Sequence, residues 1–380
     1  MKIVISTDQI HLHGGIEKVM TTKVNYWAGL PRVEVVIVTT EQKNNRPCYP
    51  LHSKVRHIDL GISYNRSKSY FSKENLKKAV THYHQQKQLF KELQPDIIIS
   101  PNFNFDHYWL PFIKQKAKLL KERHGSRYME ETQRKTSSFL KKIRLKLEDW
   151  TDSQYDRIVV LNEDEKKYVQ SHNAVVIPNP VTPTTLRADL SKKQVIAAGR
   201  ISPVKGFSDL IEAWAIVQAE FPDWQLHFYG QDYLDTQAKL QHQINALNLE
   251  ETVLFKGNVD DLPKTMTGYS IYAMTSETEC FPMVLLEALS VGLPVISYDS
   301  PTGPKHILTN NEDSFLVPYK NLDIFVEKLK KLMQNENLRH EMGNNGQENV
   351  KRFSIEKVMK QWKDLLNSLI KDTQHPTPNT

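Results

Sequence analysis

Cysteine is nearly missing from this sequence: Cys48 and Cys280 are the only two, and they stand far apart. That excludes a disulfide framework and a cysteine-based zinc site. No apolar run approaches the roughly 18 residues of a membrane span. The opening MKIVIS turns polar too soon for a secretory leader, so the chain reads as intracellular. The G-x-G-x-x-G fingerprint is absent as well, which leaves hydride chemistry on a dinucleotide with little support. Nor does Asp-x-Asp occur anywhere.

What is present has a clear organisation. A chain of 380 residues is too long for one ordinary core and suggests two domains of about 150–200 residues. A hydrophobic content of 39% and a charged content of 25% suit a soluble globular protein. Charge is unevenly spread. Residues 1–190 hold 31 Lys/Arg against 20 Asp/Glu, a net +11; residues 191–380 hold 19 against 24, a net −5. The basic half suits an anionic surface, an anionic acceptor or nucleic acid, or is simply a solvated face.

Short β-branched runs alternate with longer helical patterns. In the first half Lys2–Ser6, Val33–Thr39, Asp96–Ser100, Arg157–Leu161 and Val175–Ile177 read as strands. They are continuous apolar runs, as parallel strands covered on both faces require. Helical stretches fall near Ile16–Trp27, Glu74–Leu93 and Ser137–Trp150. IPNPVTPT around Pro178–Pro183 then interrupts the pattern with three prolines, a plausible interdomain connection. Beyond it the alternation restarts, with strands at Gln194–Ala198, Gln225–Tyr229, Val253–Phe255, Ile271–Met274, Pro294–Ser297 and Ser314–Val317. Helices are expected at Phe207–Glu220, Thr236–Leu247, Met283–Ser290 and Leu322–Gln334, and a last amphipathic helix near Ser354–Ile370. The α/β order implies two Rossmann-like domains, 1–178 and 179–353. Residues 354–371 form a helix returning to the first domain, and 372–380 a disordered tail. Ligands of such sheets bind beyond the carboxyl ends of the strands, so two facing sheets imply an interdomain cleft.

Three segments carry candidate chemistry. After the first strand, His13-Gly14-Gly15-Ile16-Glu17 opens a helix, where glycines allow close approach and helix-end N–H groups attract an anion. A plain turn explains the same residues. After the strand Gln194–Ala198 come Gly199, Arg200, Lys205 and Gly206. Arg offers a planar fork to phosphate oxygens and Lys a point charge; as isolated residues both would be ordinary surface cations. Finally Thr275–Leu289 follows a strand and begins a helix, with Pro282 suited to the first helical position. Glu279 lies in its loop and Glu287 eight positions later, between Leu286 and Ala288, where a buried carboxylate needs a partner.

The run Glu279…Glu287, with the Gly-Gly loop, the G-R-x4-K-G stretch and Asn179-Pro180, resembles the E-x7-E retaining glycosyltransferases of family 4, which have the GT-B fold. The resemblance implies that Arg200 and Lys205 bind the donor diphosphate, Glu287 the ribose hydroxyls and Glu279 the hydroxyls of the transferred sugar. Backbone near Phe281, Pro282, Met283 and Val284 would meet sugar and phosphate. Gly15 would let the acceptor side close over the donor, with Gly14 and Glu17 on that acceptor side. His124, after an apparent strand, matches the histidine beside the donor sugar, although a lone His there is also a common structural residue. Cys280 stands where the family usually has Gly, and Lys305 and His306 depart from the loop of the UDP-hexose users.

The resemblance thus implies a metal-independent, retaining transferase that takes a UDP-sugar as substrate and needs no cofactor. Its acceptor would be a glycan or a lipid-linked molecule of surface polysaccharide, lipopolysaccharide or glycolipid synthesis, and nucleic acid is not an expected partner. A nucleotide-sugar epimerase or a phosphorylase on the same fold, and a noncatalytic basic binding protein, are the competing readings. Residues 112–147 carry 12 Lys/Arg against three Asp/Glu, and Phe139, Ile143, Leu147 and Trp150 recur at helical spacing. Two readings fit: a helix at the interface of an anionic membrane, or one packing its apolar stripe on the first sheet with a basic outer face.

Overall fold

The Val/Ile-rich runs of the first half build a seven-stranded parallel sheet. The computed structural model describes residues 1–101 and 104–374. In chain order β1 is Lys2–Ser6, β2 Glu34–Thr39, β3 Arg56–Asp59, β4 Ile97–Ser100, β5 Lys118–Arg123, β6 Arg157–Val160 and β7 Ala174–Val176. Helices α1 (Gly15–Gly29), α2 (Lys73–Leu93), α3 (Leu110–Ile113), α4 (Tyr128–Thr132), α5 (Phe139–Ser153) and α6 (Glu163–Lys166) lie between them. The strand order is β3-β2-β1-β4-β5-β6-β7, and every pairing is parallel. Strand order therefore reverses between β1 and β4, and the loops after those strands open at the topological switch point.

The second half repeats the plan with six strands: β8 (Gln194–Ala198), β9 (Gln225–Tyr229), β10 (Val253–Gly257), β11 (Ile271–Met274), β12 (Val295–Tyr298) and β13 (Ser314–Val317). Helices α7 (Phe207–Gln218), α8 (Thr236–Ala246), α9 (Leu262–Met266), α10 (Met283–Ser290), α11 (Leu322–Gln334) and α12 (Glu336–Asn349) connect or follow them, and α13 (Ile355–Gln374) ends the described chain. Here the order is β10-β9-β8-β11-β12-β13, so the switch falls between β8 and β11. Trp214, Phe228 and Phe325 are fully buried in its core, each burial stabilising by about 1.5–3 kcal/mol.

The chain divides into two compact units, Met1–Pro180 with Glu356–Thr380, and Val181–Ile355. Within the second, Val181 N donates to Phe353 O at 2.9 Å and Ile355 N to Val181 O at 3.1 Å, so the chain enters and leaves that unit side by side. Of the expected tail 372–380, the first three residues continue α13 and 375–380 lie outside the described residues.

Three elements are atypical for identifiable reasons. Strand β3 (RHID) is polar and half-buried at a sheet edge, so it lacks an apolar run. In β5 (KLLKER), charged residues occupy buried positions. Helix α12 carries Gly343 and Gly346, residues that normally weaken a helix. They serve packing: a Cβ on Gly343 would stand 2.2 Å from the Gly292 carbonyl oxygen. Pro282 is also one place out. It is the N-cap of α10, with ψ at 116°, and Met283 is the first helical residue.

Helix α5 settles the question of its apolar stripe. The residues it buries are Leu145, Glu148, Thr151 and Asp152. Phe139, Leu140, Ile143, Leu147 and Trp150 are between 43% and 77% exposed. The stripe does not pack on the sheet.

Candidate functional site

In the second unit the loops after β8 and β11 emerge from neighbouring strands at the switch point, which brings two distant parts of the sequence together. The first loop ends in a turn, Pro203–Lys205, followed by Gly206 at φ 60°. A Cβ there would lie 2.1 Å from the carbonyl oxygen of Thr275, so only glycine permits this approach. Thr275 Oγ1 donates to Gly206 O at 2.8 Å and Glu277 N donates to Val204 O at 2.8 Å. The two loops are thereby laced together through carbonyls of the first.

On this support Lys205 Nζ donates to Glu279 Oε1 at 2.6 Å, the side chains being 20% and 13% exposed. A third loop fixes Glu279 from the other side. Its N–H donates to Pro301 O at 2.8 Å, and its carbonyl accepts from Thr302 N at 2.6 Å. Arg200 sits five residues before Lys205 but is held differently: its exposed guanidinium lies over the Tyr233 ring, 5.2 Å from the centroid. Such a contact is worth about 0.5–1 kcal/mol at an exposed site and holds the cation in place while it remains accessible.

Glu287 lies on α10 and is 5% exposed. Fully buried Tyr272, whose phenol donates to Ala198 O at 3.1 Å, lies near both Glu287 and Glu279. Burial raises the Tyr272 pKa strongly, and the negative charges of Glu279 and Glu287 raise it further. Phe281 turns inward and meets Phe353 edge-on at 5.3 Å, which leaves its backbone rather than its ring for a ligand. Pro282 is buried, whereas Met283 and Val284 are half-buried at the head of α10, where N–H groups have no acceptor within the helix.

Three hydroxyls here were not singled out from the sequence. Ser276 Oγ, Tyr298 OH and Ser300 Oγ are buried without a hydrogen-bond partner among the described residues. Buried hydroxyls normally find partners; these follow or end β11 and β12, and Ser300 directly precedes Pro301, whose carbonyl accepts from Glu279 N. A serine after a strand is too common to have been picked out. Tyr233, which props Arg200, lies 33 residues from it and carried no signal of its own.

The remaining candidates belong to the first unit. Gly14 is the extended N-cap of α1 and Gly15 its exposed first residue. Glu17 organises the preceding loop: its Oε1 accepts from Gln9 Nε2 at 2.6 Å, while Gln9 Oε1 accepts from His11 N and Leu12 N. His124 directly follows β5, its side chain 4% exposed and its Nε2 3.2 Å from Glu122 Oε2. That alignment is poor for a hydrogen bond, and Nδ1 has no partner among the described residues. Glu122 is ion-paired with Lys23 of α1, whose ammonium lies 4.6 Å from the Trp362 ring centroid on α13. Burial pushes the Glu122 carboxyl up, but Lys23, assisted by His124, outweighs this and holds it at about 2. His124 thus lies beside Glu122, which Lys23 ties to α1, the helix that Gly15 begins. The structure therefore gathers Lys205, Glu279 and Glu287 in one unit, keeps Arg200 on a separate prop beside them, and sets Gly14, Gly15, Glu17 and His124 around α1 in the other.

Among the described residues no helix is long and apolar enough to cross a membrane. Residues 13–185 match the family described as Glycosyltransferase Family 4, and residues 182–349 match Glycosyl transferases group 1. An uncharacterized glycosyltransferase of Haemophilus influenzae is 30% identical over 217 residues, 56% of this chain and 61% of the relative. The amylovoran biosynthesis glycosyltransferase AmsD of Erwinia amylovora is 28% identical over 225 residues, 56% of this chain and 62% of its own. The chain thus spans about three-fifths of the length of these two relatives. Among solved structures, Anabaena HepE in complex with UDP superposes with a TM-score of 0.76 at 17% identity, covering 97% of this chain and 100% of that one. The lipopolysaccharide outer core galactosyltransferase WaaB superposes at 0.71 and 20% identity, covering 97% and 99%. At such identities the likeness carries the fold.

Proposed function

The chain belongs to the group 1 and family 4 glycosyltransferases, with the GT-B fold, and from that premise we propose that it transfers a hexose or N-acetylhexosamine from a UDP-sugar to a glycan or lipid-linked acceptor, with retention of anomeric configuration. The observation that carries this reading is the Lys205–Glu279 pair at 2.6 Å, built on three laced loops beside buried Glu287. It holds an ammonium and two carboxylates where a polar ligand would meet a strand's carboxyl end.

In this reading Lys205 and Arg200 face the diphosphate, Glu287 accepts hydrogen bonds from the ribose diol, and Glu279 from hydroxyls of the sugar. The N–H groups of Met283 and Val284 add partial positive charge at the phosphate side. As the bond between the anomeric carbon and the phosphate oxygen breaks, negative charge grows on the departing diphosphate. Fixed cations aimed at that charge lower the barrier. The acceptor oxygen bonds to the anomeric carbon from the same face, and its proton passes to the leaving phosphate. The two cations supply the neutralisation that a metal provides elsewhere, so transfer proceeds without one and without a cofactor. The names of AmsD and of WaaB support an acceptor in surface polysaccharide or lipopolysaccharide synthesis, and a cytoplasmic location follows from the donor.

The test is turnover. UDP release from UDP-glucose, UDP-galactose and UDP-N-acetylglucosamine, with and without acceptor glycans, should be seen for one donor. Arg200→Ala and Glu287→Ala should abolish it while both proteins stay folded. Full activity in both variants would overturn the assignment.

A further inference from the structure

The first unit carries an apolar feature that the transfer reaction does not use. A cavity of about 520 Å³ opens between α2 and the segment Phe105–Trp109, with Phe71, Leu76, Val80, Phe105, Trp109 and Leu147 in its wall. Its size falls within the roughly 300–1,000 Å³ of small-molecule sites. Phe71, Leu76 and Val80 are themselves exposed at its mouth. Leu147 belongs at once to this wall and to the exposed stripe of α5, so cavity and stripe form one surface. Phe112 extends it by stacking on Trp150 at 6.0 Å. Single exposed apolar residues need no explanation, but a contiguous patch marks an interaction site.

Charge indicates which partner fits. Between residues 128 and 153 every carboxylate is engaged in an ion pair: Glu130 and Glu148 with Arg127 and Arg144, Glu131 and Asp149 with Arg134, and Asp152 with Lys121 and Arg123. Among the described residues Lys135, Lys141, Lys142 and Lys146 have no carboxylate within ion-pairing distance. The charge left over around the stripe is therefore entirely positive. An apolar stripe flanked by free lysines matches a surface of hydrocarbon beneath anionic headgroups. A protein partner would have to supply both an apolar ridge and an acidic rim.

We propose that this face docks on an anionic lipid bilayer, with α5 lying among the headgroups and the cavity beside Leu147 taking a hydrocarbon chain of one lipid. The docking stands apart from the transfer reaction, needs no donor, and would bring the protein to the surface where lipid-linked molecules reside.

Co-sedimentation with phosphatidylcholine vesicles, with and without phosphatidylglycerol, tests it. The protein should bind the anionic vesicles, release them as salt is raised, and ignore the neutral ones. The triple variant Lys141→Glu, Lys142→Glu, Lys146→Glu should partition at least roughly a hundredfold less, taking about 1 kcal/mol per lysine removed. Phe139→Ser with Ile143→Ser should also release the protein, and both variants should keep the wild-type melting temperature and donor-induced stabilisation. Lipids brominated on the acyl chain should quench tryptophan fluorescence, and Trp109→Phe should remove part of that quenching. Absent or charge-independent vesicle binding would overturn the proposal, as would self-association abolished by the same variants, which would make the face a contact between copies. Quenching unchanged in Trp109→Phe would overturn the chain-binding cavity. Vesicle binding without response to any nucleotide sugar would instead count against the transferase reading and leave the docking intact.

Discussion

The two units handle charge in opposite ways. In the second, the Lys205–Glu279 pair stays partly exposed on loops beyond the strands, while the strands themselves are apolar. In the first, charge enters the sheet. Lys121, Glu122 and Arg123, the last three residues of β5, are all buried. Alternation sends them to opposite faces. Glu122 meets Lys23 of α1, and Lys121 and Arg123 meet Asp152 of α5, the former at 2.8 Å. A pair within reach of solvent can reorganise around a ligand at lower cost, whereas a fully buried one holds elements together. The same kind of ion pair thus belongs to a ligand site in one unit and to the scaffold in the other.

The largest expected effect breaks the scaffold side. Glu122→Gln leaves Lys23 buried without its counter-charge and should cost about 3–5 kcal/mol of stability, read as a lower melting temperature and urea midpoint. Next comes the ligand side. Lys205→Ala should lower kcat by about 10²–10³ if its cation stabilises the leaving group, with the melting temperature nearly unchanged. Glu279→Gln sharpens the contrast further. Solvent still reaches this pair, unlike Lys23 and Glu122, so its stability loss should be smaller than that of Glu122→Gln. Equal losses in the two would erase the distinction.

The smallest effect concerns two matched histidines. His82 on α2 and His227 on β9 each face a tyrosine hydroxyl, that of Tyr64 at 3.0 Å and that of Tyr269 at 2.7 Å. Burial lowers His82 from 6.5 to about 3, and burial with Lys256 lowers His227 to about 4. Below pH 6.5 the unfolded imidazoles take up protons that the folded ones refuse, so stability falls as pH drops through that window. His82→Gln should flatten the melting temperature between pH 6.5 and 4 by at least as much as His227→Gln.

The same contrast explains what could be read from the sequence. In the second unit the strands Gln194–Ala198, Gln225–Tyr229, Ile271–Met274 and Ser314–Val317 and the helices Met283–Ser290 and Leu322–Gln334 lie where apolar patterning put them. The strand before His124 was apparent, but a run reading KLLKER shows no sign that its charges are buried and neutralised by Lys23 and Asp152, far away in sequence. Helix α12 was hidden by glycines that packing requires. At the site, the types and order of Arg200, Lys205, Glu279 and Glu287 were legible, but not the contact between Lys205 and Glu279, 74 residues apart. That contact depends on β8 and β11 being neighbours, a fact of topology rather than of local pattern. The exposure of the α5 stripe was likewise undecidable, since amphipathic spacing is the same whichever side faces the core.

A calorimetric titration of UDP and UDP-sugars into the wild type, Lys205→Ala and Glu287→Ala tests the assignment of the second unit most directly. Binding by the wild type, weakened at least about tenfold in each variant, a change of about 1.4 kcal/mol, is the expected result. Equal affinity in all three, or no binding of any nucleotide to the folded wild type, would contradict it.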